Sequence, residues 1–185
     1  EQLMGVSLFR KAFPDRPIRI YMHTPETGEF DLRDVLHGLD LHDVTKVMDG
    51  YTFVTGSMRE EQLCAITNCA DVVLDACQEG FGLSQLQAQA CGLPVITMTE
   101  SPGPEIVQYG VCVPSWSLDM THIPNKLLPH PGAIAEALGQ LWQLRGKRSE
   151  LARQHVLDHY TWDRVAAQWF DLIENVLLPE HERHS

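Results

Sequence analysis

Short apolar runs alternate with amphipathic stretches along most of this chain, and that alternation restricts its fold more than any other feature. Ile18-Arg19-Ile20-Tyr21-Met22, Val44-Thr45-Lys46-Val47-Met48, Asp71-Val72-Val73-Leu74-Asp75-Ala76, the run 95–99 and Val111-Cys112-Val113 read as strands. The stretches between them carry apolar residues at helical spacing. Leu3, Val6, Leu8, Phe9 and Phe13 mark a first helix, broken by Pro14-Asp15-Arg16-Pro17. Asp31 caps a short helix through Leu39, and Leu63, Ala65 and Ile66 mark another over 59–68. Leu83, Leu86 and Ala90 recur at i, i+3 and i+7 in a helix closed by Gly92 and Pro94. Near-continuous apolar strands joined by helices predict a parallel sheet covered on both faces. The expected fold is α/β, a Rossmann-like doubly wound sheet in one domain over 1–185. Loops are expected at 49–57, an irregular Pro-rich segment at 115–131, and helices over 133–144, 149–159 and 163–178.

At 185 residues and 44% apolar content the chain can bury one sizeable core. Its 25 Asp and Glu outnumber 14 Lys and Arg, which argues against a nucleic-acid or anionic-lipid surface. Any phosphate must be held locally. The five cysteines, Cys64, Cys69, Cys77, Cys91 and Cys112, are an odd number with no C-x-x-C pair, which fits a reduced, cytoplasmic setting. No apolar run reaches membrane-spanning length, and Glu1-Gln2-Leu3-Met4 is not signal-like. A start without Met, directly in a helical pattern, reads as a piece of something longer.

The stretch that carries chemistry lies between the strand ending near Ala76 and the helix opening near Leu83. In an open parallel sheet, ligands bind outside the carboxyl ends of the strands, where helix N-termini point inward. Gly80 and Gly82 allow positive φ and close approach of a ligand to the main chain. The free N–H groups of the next helical turn suit a diphosphate. Glu79 is placed to accept hydrogen bonds from sugar hydroxyls, and Gln87 to reach a ribose. The pattern points to a nucleotide-sugar.

These motifs, taken in order, resemble a known family. Ala70-Asp71-Val72-Val73-Leu74, Glu79-Gly80-Phe81-Gly82-Leu83, Gln87-Ala88-Gln89-Ala90-Cys91-Gly92-Leu93-Pro94-Val95-Ile96 and Pro104-Glu105-Ile106-Val107 are similar to motifs of the family-four retaining glycosyltransferases of the GT-B fold. Glu60-Glu61-Gln62-Leu63 and Tyr160-Thr161-Trp162-Asp163 extend the likeness over most of the chain. The resemblance implies the donor-binding, C-terminal half of a hexosyltransferase working without metal or bound cofactor. Glu79 would contact the donor sugar, and the backbone of Gly80, Phe81, Gly82, Leu83 and Ser84 would meet hydroxyls and phosphate. Gln87 would face the ribose, and Gly56-Ser57-Met58 the base. An N-terminal domain outside this chain would bind the glycan, lipid or protein acceptor and bring any peripheral membrane attachment. The Arg and Lys that the family uses on the diphosphate would also lie upstream of residue 1.

Gln87 departs from the family's pattern, where a second glutamate stands. An amide in place of a carboxylate should weaken ribose binding by about 1 kcal/mol. Two readings follow: an active enzyme, or a non-catalytic interaction domain that kept the fold. A nicotinamide-dependent enzyme or epimerase is disfavoured, because no G-x-G-x-x-G follows an early strand.

Other candidates have plainer alternatives. His23 follows a strand at the sheet's carboxyl edge and either contacts the donor or is merely solvated. The histidines lack metal-ligand spacing, and Asp71 and Asp75 lack a D-x-D pattern, so no metal site is expected. Asp71 suits a helix-to-strand turn. Glu105 suits a sugar-phosphate contact or a helix first turn, and Trp116 a nucleotide lid or a surface patch. The last helix lines up Trp162, Val165, Ala166, Trp169, Phe170, Ile173 and Leu177 on one stripe, which packs on its own domain or meets a second one.

Overall fold

The computed structural model describes residues 1–27, 31–120 and 123–177. Helix α1 (Gln2–Ala12) leads through β1 (Ile20–Met22) and α2 (Leu32–Gly38) to β2 (Thr45–Val47). Next come α3 (Gly50–Thr55), α4 (Glu60–Asn68), β3 (Val73–Leu74), α5 (Leu83–Ala90), β4 (Val95–Met98), α6 (Gly103–Ile106) and β5 (Gly110–Val113). A hairpin of β6 (Ser115–Met120) and β7 (Ile123–Pro129) precedes α7 (Pro131–Leu141), α8 (Glu150–His159) and α9 (Trp162–Leu172), which runs on into a π turn, Ile173–Leu177.

The expected parallel pairing is present in two pieces. β1 pairs with β2, Ile20 opposite Thr45, and β4 lies between β3 and β5 with Val95 opposite Val73 and Gly110. Every residue of β4 is buried, which is why Val95-Ile96-Thr97-Met98 shows no polar alternation. On one face, Ile96 and Met98 join Ala76, Val113 and the α7 residues Ile134, Ala137 and Leu141. Val95 lies with Ala88 and Leu93 in a second cluster, and Leu86, Ile106 and Val156 form a third. Leu74 and Leu138 also pack on Val6, Leu36, Leu41 and Val44, as do Ile18 and Ile20, so the two sheet pieces share a core.

Three expectations need correction. The span 49–57 contains α3, not a continuous loop: Asp49 accepts from Thr52 N–H at 2.9 Å, and Gly56 at φ +59° closes the C-terminus. The segment 115–131 is largely an antiparallel hairpin, with Trp116 opposite Leu128 and Ser117 opposite Leu127. Its prolines carry a turn signal, yet Pro129 ends a strand, where a missing N–H is tolerated. The stripe on α9 is not packed on its own domain. Trp162 is 85% exposed, Trp169 57% and Phe170 67%, whereas Tyr160, two residues before the helix, still packs on the third cluster.

Among the contacts that hold α1 in place, two can be tested singly. Gly5 is buried against α7, and a Cβ there would stand 2.6 Å from Ile134 Cβ. Arg10 forms a two-pronged pair with Asp43 at 2.7 and 2.8 Å and also donates to the Asp40 carbonyl. Gly5→Ala should therefore lower the unfolding free energy by roughly 1–3 kcal/mol, as forced overpacking does, measured by urea denaturation.

The hydrogen bonds from Arg10 hold the Asp43 carboxyl below its ordinary value of 3.8. A lowered carboxyl stabilises the fold above its unfolded value and loses that contribution as pH falls through its folded value. Asp43→Asn should consequently remove part of the loss of stability seen below pH 3.8 while reducing stability at neutral pH, which urea titrations across that range can check.

Candidate active site

The chain leaves β3 in register. Asp75 N–H still donates to the Ile96 carbonyl at 2.9 Å, and Ala76 turns fully into the core. The segment from Cys77 to Phe81 then crosses the carboxyl edge of the sheet. Gly82, at φ +88°, is the N-cap of α5, and no side chain caps that helix. Its first-turn N–H groups are thus left for a ligand. A Cβ at Gly82 would stand 3.0 Å from Ile106 Cδ1 and 3.1 Å from Gln85 Cδ. The loop turns directly on a floor made by those two side chains.

Gln85 is fully buried and donates through Nε2 to the Asp75 carbonyl at 3.3 Å, while its Oε1 has no partner. One side chain thereby ties the end of β3 to the start of α5. Phe81, half exposed, meets Tyr160 edge to face at 6.2 Å between ring centroids. The closing Tyr160-Thr161-Trp162-Asp163 motif is therefore in contact with the loop through its first residue.

The Asp75 carboxylate is engaged on both oxygens: Cys77 Sγ–H donates to Oδ1 at 2.8 Å, and Ser84 Oγ–H donates to Oδ2. Cys77 also reaches Glu79 Oε1 at 3.5 Å. Burial first, then the Asp75 and Glu79 carboxylates, push the Cys77 thiol far above its ordinary range. Asp75, Cys77 and Glu79 each place a ligand atom within 4.8 Å of the others, a set that could gather a cation. In the structure Asp75 accepts one hydrogen bond on each oxygen, and Cys77 is a donor in this set. Asp40, His42 and Asp43 form a second such group on the surface, where Asp43 is taken by Arg10.

The structure gathers Glu79, Gly80, Phe81, Gly82, Leu83 and Ser84 into one turn, with Gln87 one helical turn further along α5 and exposed. Ser57 and Met58 lie between α3 and α4, where Ser57 Oγ accepts from Thr55 Oγ1–H at 3.0 Å. His23 is exposed, its Nδ1 3.3 Å from the Tyr21 hydroxyl. Among the described residues, no hydrogen bond joins His23, Ser57 or Met58 to the loop. Asp71 is a turn residue as expected, accepting from Gly146 N–H at 2.9 Å. Glu105 is exposed in the first turn of α6, and Trp116 is partly exposed on β6.

Sequence reasoning missed Gln85 and Gln89. Gln89 is fully buried, donating to the carbonyls of Leu93 (2.8 Å) and Tyr109 (2.9 Å) and accepting from the N–H groups of Gln108 (2.8 Å) and Tyr109 (3.0 Å). The signal was a polar residue repeated at i and i+4 on the inner side of a helix, where a buried amide must be satisfied. The hairpin had a signal too. Ser115-Trp116-Ser117-Leu118 alternates polar and apolar as a half-buried strand does.

A parallel α/β sheet with a glycine-capped helix opening at its carboxyl edge is the arrangement at which open α/β folds take their ligands. The profile of the family described as Glycosyl transferases group 1 matches residues 20–143, and the chain belongs to that family. It is similar to a probable sucrose-phosphate synthase of Thermosipho melanesiensis, 38% identical over 105 residues, 55% of this chain and 22% of the relative. It is also similar to a D-inositol 3-phosphate glycosyltransferase of Corynebacterium urealyticum, 29% identical over 98% of this chain and 42% of the relative. The chain thus spans less than half the length of either.

Among solved structures, the fold is shared with a sucrose-phosphate synthase of Thermosynechococcus elongatus, at TM-score 0.65 and 18% identity over 96% of this chain and 43% of that one. It is shared as well with the pneumococcal O-GlcNAc transferase GtfA in complex with UDP and GlcNAc, at TM-score 0.61 and 22% identity over 96% and 33%. The fold is that of GT-B glycosyltransferases.

Gln89→Leu should cost about 1–3 kcal/mol, because it strands the buried Leu93 carbonyl and takes the partner from the part-buried N–H groups of Gln108 and Tyr109. Thermal unfolding with Gln89→Glu as a second variant checks this, since the carboxylate restores only the acceptor side.

Proposed function

We propose that this chain is the donor-binding half of a retaining hexosyltransferase, which moves a sugar from a nucleotide-sugar to a sugar, lipid or protein acceptor. The observation that carries the reading is the loop 77–82. It places the exposed Glu79 beside an uncapped helix N-terminus at the carboxyl end of β3, in a chain whose family is that of glycosyl transferases. Glu79 orients the donor sugar through its hydroxyls. The backbone of Gly80 to Ser84, with the positive end of α5, stabilises the diphosphate as it departs. Gln87 faces the ribose, and the segment Ser57-Met58 and His23 border the base and sugar from the neighbouring loops. A second, acceptor-binding domain completes the enzyme, which accords with the limited share of its relatives that the chain spans.

Transfer in this reading needs no metal ion, as the absence of a D-x-D pattern and of metal-ligand His spacing in the sequence suggests. The five unpaired thiols favour a reducing, cytoplasmic location. Among the described residues, no helix is long and apolar enough to cross a membrane.

Calorimetric titration of the full protein with UDP, GDP and ADP and their hexose conjugates tests donor binding, and the reading is lost if none binds. Glu79→Ala should lower kcat about a hundredfold or more while leaving nucleoside diphosphate affinity within a few-fold, measured by transfer assay and calorimetry. Gln87 favours the second reading, a domain that kept the fold and lost turnover. Gln87→Glu distinguishes the two: in an enzyme it should tighten donor binding about fivefold, the equivalent of about 1 kcal/mol, whereas a remnant gains no turnover.

A further inference from the structure

The fold brings together two thiols that lie far apart in the chain. Cys64, on α4, is exposed, and Cys91, the C-cap of α5, is partly buried. One amide reaches both: Asn68 Nδ2 stands 3.4 Å from Cys64 Sγ and 3.5 Å from Cys91 Sγ. The same nitrogen donates to the Cys64 carbonyl at 2.9 Å, and Arg148 donates to the Asn68 carbonyl at 3.0 Å. Asn68 is thereby fixed at the end of α4, and it holds the two sulfurs beside one another.

Their surroundings give the two thiols different parts. Burial first, then the Cys64 sulfur next to it, push the Cys91 thiol up. Arg153, which donates to the carbonyl of Ala90 just before it, and Asn68 act in the opposite direction. Cys64 is the sulfur that solvent reaches. Cys77, by contrast, lines a groove of about 900 Å³ beside the donor loop but gives its hydrogen to Asp75.

We infer that Cys64 and Cys91 form a reversible disulfide when the protein meets a peroxide, stapling α4 to the end of α5. The Cys64 thiol attacks the peroxide, whose O–O bond breaks, and becomes a sulfenic acid with release of one water. The Cys91 sulfur, giving up its proton, then attacks the Cys64 sulfur. The S–S bond forms, the S–O bond breaks, and the hydroxyl leaves with that proton as a second water. The thiols lose two electrons in all, and the peroxide takes them. A dithiol reductant restores both thiols. The bond closes a covalent loop around β3, the turn at Gly82 and the whole of α5, and such a closure restricts the unfolded chain more than the folded one. The inference does not depend on the donor-binding reading.

The test exposes the reduced full protein to hydrogen peroxide under native conditions and counts free thiols after denaturation. Two of the five cysteines of this chain should be lost as free thiols, peptide mapping should find Cys64 joined to Cys91, and dithiothreitol should restore both. Cys64→Ser and Cys91→Ser should each abolish the bond, and Cys69→Ser should leave it intact. In Cys91→Ser the sulfenic acid at Cys64 has no partner, so dimedone should trap it there. The oxidised native protein should melt several degrees above the reduced one, a shift that Cys64→Ser should lack. An unchanged thiol count, a loss that dithiothreitol does not reverse, a bond mapped to another pair or between two chains, or an oxidised form that melts below the reduced one overturns the inference.

Discussion

One buried amide sets the frame on which the site is hung. Gln89 spends all four of its hydrogen-bonding positions on main-chain groups at two separate turns, Leu93 after α5 and Gln108-Tyr109 before β5. The last turn of α5 is thereby fixed to the entrance of the neighbouring strand. A short helix held at its far end by four hydrogen bonds points its other end in one direction, toward the carboxyl edge of β3. Arg153 adds to the hold by donating to the Ala90 carbonyl at 2.5 Å. The loop 77–82 inherits its position from this clamp, and Gln85, one turn earlier on the same helix face, transmits it to Asp75.

Much of this was legible in the amino-acid sequence, and the boundary between the legible and the hidden is physical. β4 could be read because a strand covered on both faces must be apolar throughout. The turn at Gly82 could be read because only a few residue types tolerate its backbone. Single side chains facing inward could not. Gln85 and Gln89 look like ordinary helix-surface amides until the tertiary packing of α5 shows which side is buried. The hairpin was hidden for another reason: its prolines carry a local turn signal that competes with the alternation of Ser115 to Leu118, and the pairing that decides between them is made with residues about ten positions away. The segment at α3 had both its caps, Asp49 and Gly56, but its six residues are too few to show a clear period.

In the donor-binding reading, an acidic chain presents itself to an anion through local geometry. The unfavourable net charge acts over distances that solvent ions screen, while helix-end N–H groups act at contact. Local geometry then outweighs overall charge. The same logic explains why neutral groups dominate the loop: Gly80, Phe81, Gly82, Leu83 and Ser84 add no further negative charge between Glu79 and the helix.

Cys77 gives this arrangement a practical side. It lies two residues from Glu79, where a reactive thiol would be the obvious handle for an irreversible inhibitor or a target for peroxide. Yet it is partly buried, donates its proton to Asp75 and has two carboxylates as neighbours, each opposing formation of the thiolate on which alkylation and oxidation depend. The same carboxylate that positions Ser84 therefore acts as a chemical guard. A warhead chemistry aimed at this cysteine would find a nucleophile that is present in the groove but switched off.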